Sequence, residues 1–235
     1  MERLIYLVRF FRIVPPTPPL MGLAFATTAA VAAAIVIADP GRVPEALMPL
    51  LMLQLFACSS GFMIPARRGH YDLILTSGDT RLKIASVHWM MSMLRGIGAW
   101  LVVSLVEAAA VGGAPVSALA PGSVVAWVLM STLPWAITVT LPRFAGAIGW
   151  LLALALTGTL APGALNVDLF SGAADGSSWF AAALGLLLYP PAMVGEDFAG
   201  PQAWLVAPSL LVAAFAMIYA FGWIDHEDIP LEASQ

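Results

Sequence analysis

Arg67-Arg68-Gly69-His70-Tyr71-Asp72-Leu73-Ile74-Leu75-Thr76-Ser77-Gly78-Asp79-Thr80-Arg81-Leu82-Lys83-Ile84 is the one long polar stretch between two apolar ones, and it carries four of the ten basic residues. On either side lie runs of about 18 or more residues almost free of charge, each long enough to cross a ~30 Å hydrocarbon core. The composition agrees: 235 residues, 60% hydrophobic and 10% charged, with a mean hydropathy of +0.90. A soluble domain is nearer 45–50% apolar and about 25% charged. The chain therefore reads as a single membrane domain over residues 1–235, with a polar loop at 66–84 and no soluble domain.

Moving outward from the loop, the spans follow in order. The first covers about 20–38 and turns at Asp39-Pro40-Gly41-Arg42. The second covers about 45–64 and stops at Pro65. The third runs from the high 80s to about 111, and an uncharged Gly/Pro loop follows it. The fourth covers 123–141, with a tight turn at Leu141-Pro142-Arg143, and the fifth covers 144–160. After a Gly/Ala/Ser/Asp loop, residues 179–194 are apolar but number only about 16 and are broken by Pro190-Pro191. They are short for a crossing and fit a re-entrant or interfacial hairpin. The sixth span covers 203–223, and 224–235 is an acidic tail.

At the other end, residues 1–14 mix apolar and basic positions at helical spacing. Leu4, Leu7, Val8 and Phe11 share a face with Arg9 and Arg12 off it, as in a helix lying in the headgroup layer. Pro15, Pro16, Pro18 and Pro19 end it by removing backbone donors, so 1–19 reads as an interfacial helix and a proline-rich turn. No cleavable signal is evident.

Charge sets the expected orientation. Six spans place both termini on one side. Putting that side in the cytoplasm gathers Arg3, Arg9, Arg12, Arg67, Arg68, Arg81, Lys83, Arg95 and Arg143 there and leaves only Arg42 outside. The fold expected is thus an all-α polytopic membrane protein: six transmembrane helices, an N-terminal interfacial helix, a short cytoplasmic helix between spans 2 and 3, and a re-entrant or interfacial segment before span 6.

Enzyme signatures are missing. There is no HExxH, no GxSxG elbow and no GxxxxGK[ST] phosphate loop, and His70, His88 and His226 have no metal-ligand spacing. The single Cys58 excludes an intrachain disulfide. Charges within the spans reduce to Arg95 and Glu107, which lie twelve residues apart, about 18 Å along a helix. They are candidates for a pathway or a subunit interface, and too few for a proton-relay pump.

The loop has more structure than a topological signal needs. Tyr71, Ile74 and Leu75 fall at i, i+3 and i+4 and form one apolar face. Asp72 sits where a helix begins and favours an acid. Gly78 is a natural stop. Arg81 and Lys83 suit anionic headgroups at the start of the next helix.

Together, Arg68-Gly69-His70-Tyr71-Asp72-Leu73-Ile74-Leu75-Thr76-Ser77, continued by Gly78-Asp79-Thr80-Arg81-Leu82-Lys83-Ile84, resembles the loop between the second and third spans of ABC exporter permeases of the type 2 class. There a run of the form R-x-G-x-x-E/D-x-L-L-x-S-x-x-S/T-R-x-x-I makes a short coupling helix docked on an ATPase subunit. Six spans, cytoplasmic termini, an amphipathic N-terminal helix and a broken segment before the last span are also similar. This chain has Asp72 where the family often has Glu, and Gly78-Asp79 where it often has Pro.

The resemblance implies a non-enzymatic permease in a bacterial inner membrane. Tyr71, Asp72, Leu73, Ile74, Leu75 and Ser77 would meet the ATPase, and Arg67, Arg68, Arg81 and Lys83 would anchor to lipid or partner. It implies no cofactor in this chain, with ATP and Mg on the partner ATPase. A second permease subunit, identical or related, would complete the pathway, in contact with membrane lipids and with no nucleic acid. A secondary transporter or channel working without ATP is the alternative, and a membrane enzyme or structural subunit is a third.

Overall fold

The computed structural model describes residues 19–59, 80–112, 116–141, 194–195, 197 and 203–226. Among them every regular element is helical. They are α1 (Pro19–Ala38), α2 (Val43–Ser59), α3 (Arg81–Leu94), α4 (Ile97–Val111), α5 (Pro121–Thr140) and α6 (Ala203–His226), with 3₁₀ turns at Pro40–Arg42 and Ser117–Leu119. Four stretches are long and apolar enough to cross a membrane: α1, the continuous run Arg81–Val111, α5, and α6 from Val206. The chain is an integral membrane protein on that ground.

Local signals explain the element ends. Asp39 caps the turn after α1, its carboxylate accepting from the Gly41 N–H at 3.0 Å. Arg42 then pairs with Glu45 across the start of α2. Thr80 caps α3, its hydroxyl accepting from the Lys83 N–H at 3.3 Å. The third span therefore starts at Arg81, earlier than hydropathy alone suggests, because the cap decides the start and the first turn can hold cations. Gly112, at φ 71°, closes α4 in the left-handed conformation that glycine adopts without strain. α6 runs to His226, three residues past the expected end, because Ile224 is still fully buried.

Two packed layers of core fix how the helices run. One holds Val36, Val43, Leu47, Ala118, Val194 and Val206 among others. It runs along much of the bundle, from Phe25 to Val36 on α1 and from Val43 to Ala57 on α2, and at one end it draws together the end of α1, the start of α2, the loop after α4 and the start of α6. The second holds Cys58, Ile84, Val87, Trp135, Val139, Ala220 and Ile224. It draws together the end of α2, the start of α3 and the ends of α5 and α6. α1, α2, the broken crossing made by α3 and α4, and α5 thus alternate in direction between two ends of one bundle, and α6 runs parallel to α5. Leu141 closes α5 at the second end, whereas the Gly195 N–H donates to Ser123 Oγ at 2.8 Å, at the first.

α5 is the central helix, with 72% of its apolar stretch buried, against less than a third for the other three spans. It packs on α2 and α6, while α1 packs on α4 and α2. Leu23, Val31, Leu101, Leu105, Phe215 and Ile218 are exposed. In water such faces would be a liability; in a bilayer they meet lipid.

Candidate functional site

The Arg81–Val111 run is 31 residues, about 46 Å as a straight helix and well beyond a ~30 Å core. It is not straight. Arg95 and Gly96 form a turn between α3 and α4. The Arg95 N–H reaches back only three residues, to the Ser92 carbonyl at 3.4 Å. A break of this kind inside hydrocarbon must have its backbone groups satisfied by neighbouring helices.

Those neighbours are on α2 and α5. Gln54, fully buried, donates through Nε2 to the Ser92 carbonyl at 3.0 Å and to Ser131 Oγ at 2.9 Å. Met93 O lies 3.4 Å from the same nitrogen and accepts from Trp127 Nε1 at 3.2 Å. Ser131 gives its own proton to the Trp127 carbonyl at 2.8 Å, so its oxygen is left to accept. All these groups accept, which fixes the amide with its nitrogen toward the break. Gln54 Oε1 has no hydrogen-bond partner among the described residues. It faces Gly96, where an added Cβ would lie 2.9 Å from it and 2.7 Å from Phe25 Cε1, and closer still to Trp127 Cη2. Only a glycine lets α1, α2 and α5 converge on the turn.

Arg95 closes the joint from the far side. It is half-buried, and its Nη1 donates to the Ala57 carbonyl near the end of α2 at 3.4 Å. The negative end of a helix favours a cation there. Its side chain also lines a groove of about 510 Å³ between α1 and α4.

Glu107 lies elsewhere, at the first end of the bundle and almost fully buried. Oε1 accepts from the Ser117 N–H at 2.6 Å and Oε2 from the Ala118 N–H at 2.9 Å. It caps the 3₁₀ turn Ser117–Leu119 as an N-terminal acid does. Trp100 Nε1 holds the Ala118 carbonyl of the same turn at 3.0 Å. Its charge is absorbed in tying the loop after α4 to that helix.

Arg81 and Lys83 occupy the first turn of α3, on the side where α2, α5 and α6 end. Arg67, Arg68, Tyr71, Asp72, Leu73, Ile74, Leu75 and Ser77 lie outside the described residues. So do the N-terminal helix at 1–14 and the segments 144–160 and 179–193. The structure brings together Arg95 with Gln54, Gly96, Trp127 and Ser131, which sequence reasoning passed over. One signal was available: Gln54 is the only amide in its apolar run. His88 is fully buried, its Nδ1 accepting from Trp135 Nε1 at 3.2 Å, which leaves the proton on Nε2.

In comparisons with known proteins, no family model, curated protein or solved structure matches this chain.

Proposed function

We propose that this chain is the transmembrane subunit of a type 2 class ABC exporter, forming half of a substrate pathway and receiving its energy from a separate ATPase. One observation carries the reading: the Arg67–Ile84 segment, with an apolar face at Tyr71, Ile74 and Leu75 set among cations. Its described flanks support it. α2 finishes and α3 begins at the same end of the bundle, where α5 and α6 also finish. The nine-to-one distribution of basic residues assigns that end to the cytoplasm, in a bacterial inner membrane with both termini inside. A docking knob there would push on α3 at Arg81 and Lys83, and α3 meets α4 at the Arg95–Gly96 joint. The joint lets α3 move as a lever while α4 stays packed on α1.

Six spans are part of the proposal. Leu141 follows the end of α5, whereas the Gly195 N–H bonds Ser123 Oγ near its start, which supports an odd number of crossings between them. The sequence there offers two apolar segments, 144–160 and 179–194, and in this reading the longer crosses and the shorter, proline-broken one is re-entrant or interfacial.

The chain lacks a P-loop, so its partner must supply one. Extraction in mild detergent should bring down a P-loop ATPase together with a second permease subunit. A chain that purifies alone and transports without nucleotide sinks the reading in favour of a secondary transporter or channel. Ile74→Asp should abolish ATP-driven transport while membrane insertion is normal, because a carboxylate on the apolar face breaks the docking contact. Unchanged transport in that variant would reduce the loop to a topological signal.

A further inference from the structure

We infer that Glu227 and Asp228, which follow α6, pair with Arg81 and Lys83 at the start of α3, as a strap that ties the two helix ends together. Trp135 sets the register. Its indole donates to His88 Nδ1 on α3 at 3.2 Å, and its ring lies 5.6 Å from that of Phe221 on α6. His88 and Phe221 therefore stand near one level. α3 and α6 run in opposite directions there, with Ile84 and Ile224 buried in one cluster beyond that level. Lys83 lies five residues before His88 and His226 five after Phe221, so both are about 7–8 Å nearer the same end of the bundle. Arg81 lies two residues further out, and Glu227 and Asp228 follow His226 directly.

The buried stripes of both helices lead to these charges. On α3, Arg81 precedes Ile84 by three residues and His88 by seven, both buried, so it shares their face. On α6, Ala220 and Ile224 are fully buried four residues apart. The next positions of that stripe are Glu227 and Asp228, three and four residues on. Asp225 falls off the stripe, one residue past Ile224, and is exposed. Electrostatics points the same way. α3 begins with Arg81 and Lys83, both half-buried, and has no acid in its first turn, although the positive end of a helix favours anions. α6 ends with Asp225 in its last turn, although the negative end favours cations. Each helix carries at its end the charge that its antiparallel neighbour calls for. Gln54 holds the far end of α3 at the Ser92 carbonyl, and the strap holds its start. An anionic competitor for Arg81 and Lys83 must displace the acidic pair before the start of α3 is released. The inference does not depend on the exporter reading.

Lys83 is the one lysine in the chain, so a zero-length bridge from its amine to a carboxylate can be assigned without ambiguity. The full chain in mild detergent is treated with a carbodiimide, and peptides from the monomer band are read by mass spectrometry. Lys83 Nζ should form an amide with Glu227 or Asp228, and in Arg81→Lys the second amine should reach the same pair. Raising the salt from about 0.1 M to about 1 M should lower the yield by up to about fivefold, the range of a partly exposed ion pair that screening removes. Glu227→Gln combined with Asp228→Asn should abolish the bridge and quicken amide exchange at Lys83 and Ile84 by about two- to fivefold. Glu232→Gln, further along the tail, should change neither. Bridges that reach only Asp72, Asp79 or Asp225 overturn the proposal, as does the absence of any bridge to the acidic pair from either position. A bridge found only in the dimer band overturns it in favour of pairing between two copies. A yield indifferent to salt, or exchange unchanged in the double variant, overturns the strap even where the bridge forms.

Discussion

Replacing Gly96 with alanine sets two effects of opposite sign against each other. Gly96 has φ −84° and ψ −2°, a conformation alanine adopts freely. On backbone grounds Gly96→Ala should stabilise the fold by about 0.4–1 kcal/mol, by narrowing the unfolded ensemble. The packing says otherwise. The new Cβ would sit 2.7 Å from Phe25 Cε1, 2.9 Å from Gln54 Oε1 and closer still to Trp127 Cη2. Two of these neighbours are aromatic ring atoms from different helices, and neither can swing aside as the end of a flexible chain could. Overpacking of this kind costs about 1–3 kcal/mol. The net expectation is destabilisation of about 1–2 kcal/mol, the steric cost outweighing the backbone gain. Gly98→Ala is the matched control. It lies two residues on, with nothing within 4 Å of the added Cβ, so it should be neutral or slightly stabilising. Unfolding in mixed micelles, titrated with SDS and followed by circular dichroism, reads both. A Gly96→Ala variant as stable as the wild type would refute the convergence of α1, α2 and α5 on the joint. So would a Gly98→Ala variant equally damaged.

Three further predictions test the joint, the loop clamp and the cap. Gln54→Leu should cost about 1–2 kcal/mol in the same titration, at the low end for a buried hydrogen-bonding group because Trp127 still serves Met93 and the variant also removes the unpartnered Oε1; a stabilised variant would refute the role of the amide. Glu107→Gln replaces one acceptor oxygen with a donor that faces a backbone N–H. Amide hydrogen exchange at Ser117 and Ala118 should quicken, corresponding to a loss of about 1.5–3 kcal/mol for charge-assisted bonds, and unchanged exchange would mean the carboxylate does not hold the loop. Thr80→Ala should cost about 0.5–1 kcal/mol, the lower part of the range for a cap because its bond is long, with faster exchange confined to the first turn of α3; exchange as slow as in the wild type would place the start of α3 elsewhere.

Much of the architecture is legible in the sequence. The first and fourth spans match α1 and α5 to within two residues, because a hydrocarbon-length run bounded by Pro, Gly or Asp leaves little choice of ends. Hydropathy alone starts the third span too late, in the high 80s, since it does not register a Thr80 cap or a first turn holding Arg81 and Lys83. The break at Arg95–Gly96 is not legible in the sequence for a similar reason. A lone glycine in an apolar run is common, and nothing local says that two aromatic rings will close on it.

The sequence by itself determined that the chain lives in a membrane, and where several of its spans begin and end. Those are consequences of hydrophobicity, length and charge, which are local sums. Only the tertiary structure decided what the polar residues inside the spans do. Glu107 binds the Ser117–Leu119 turn, and Gln54 mends the broken third span. Arg95 stands between the end of α2 and an open groove. Each outcome depends on which helix lies opposite, and in hydrocarbon a polar group has few places to go besides its neighbours.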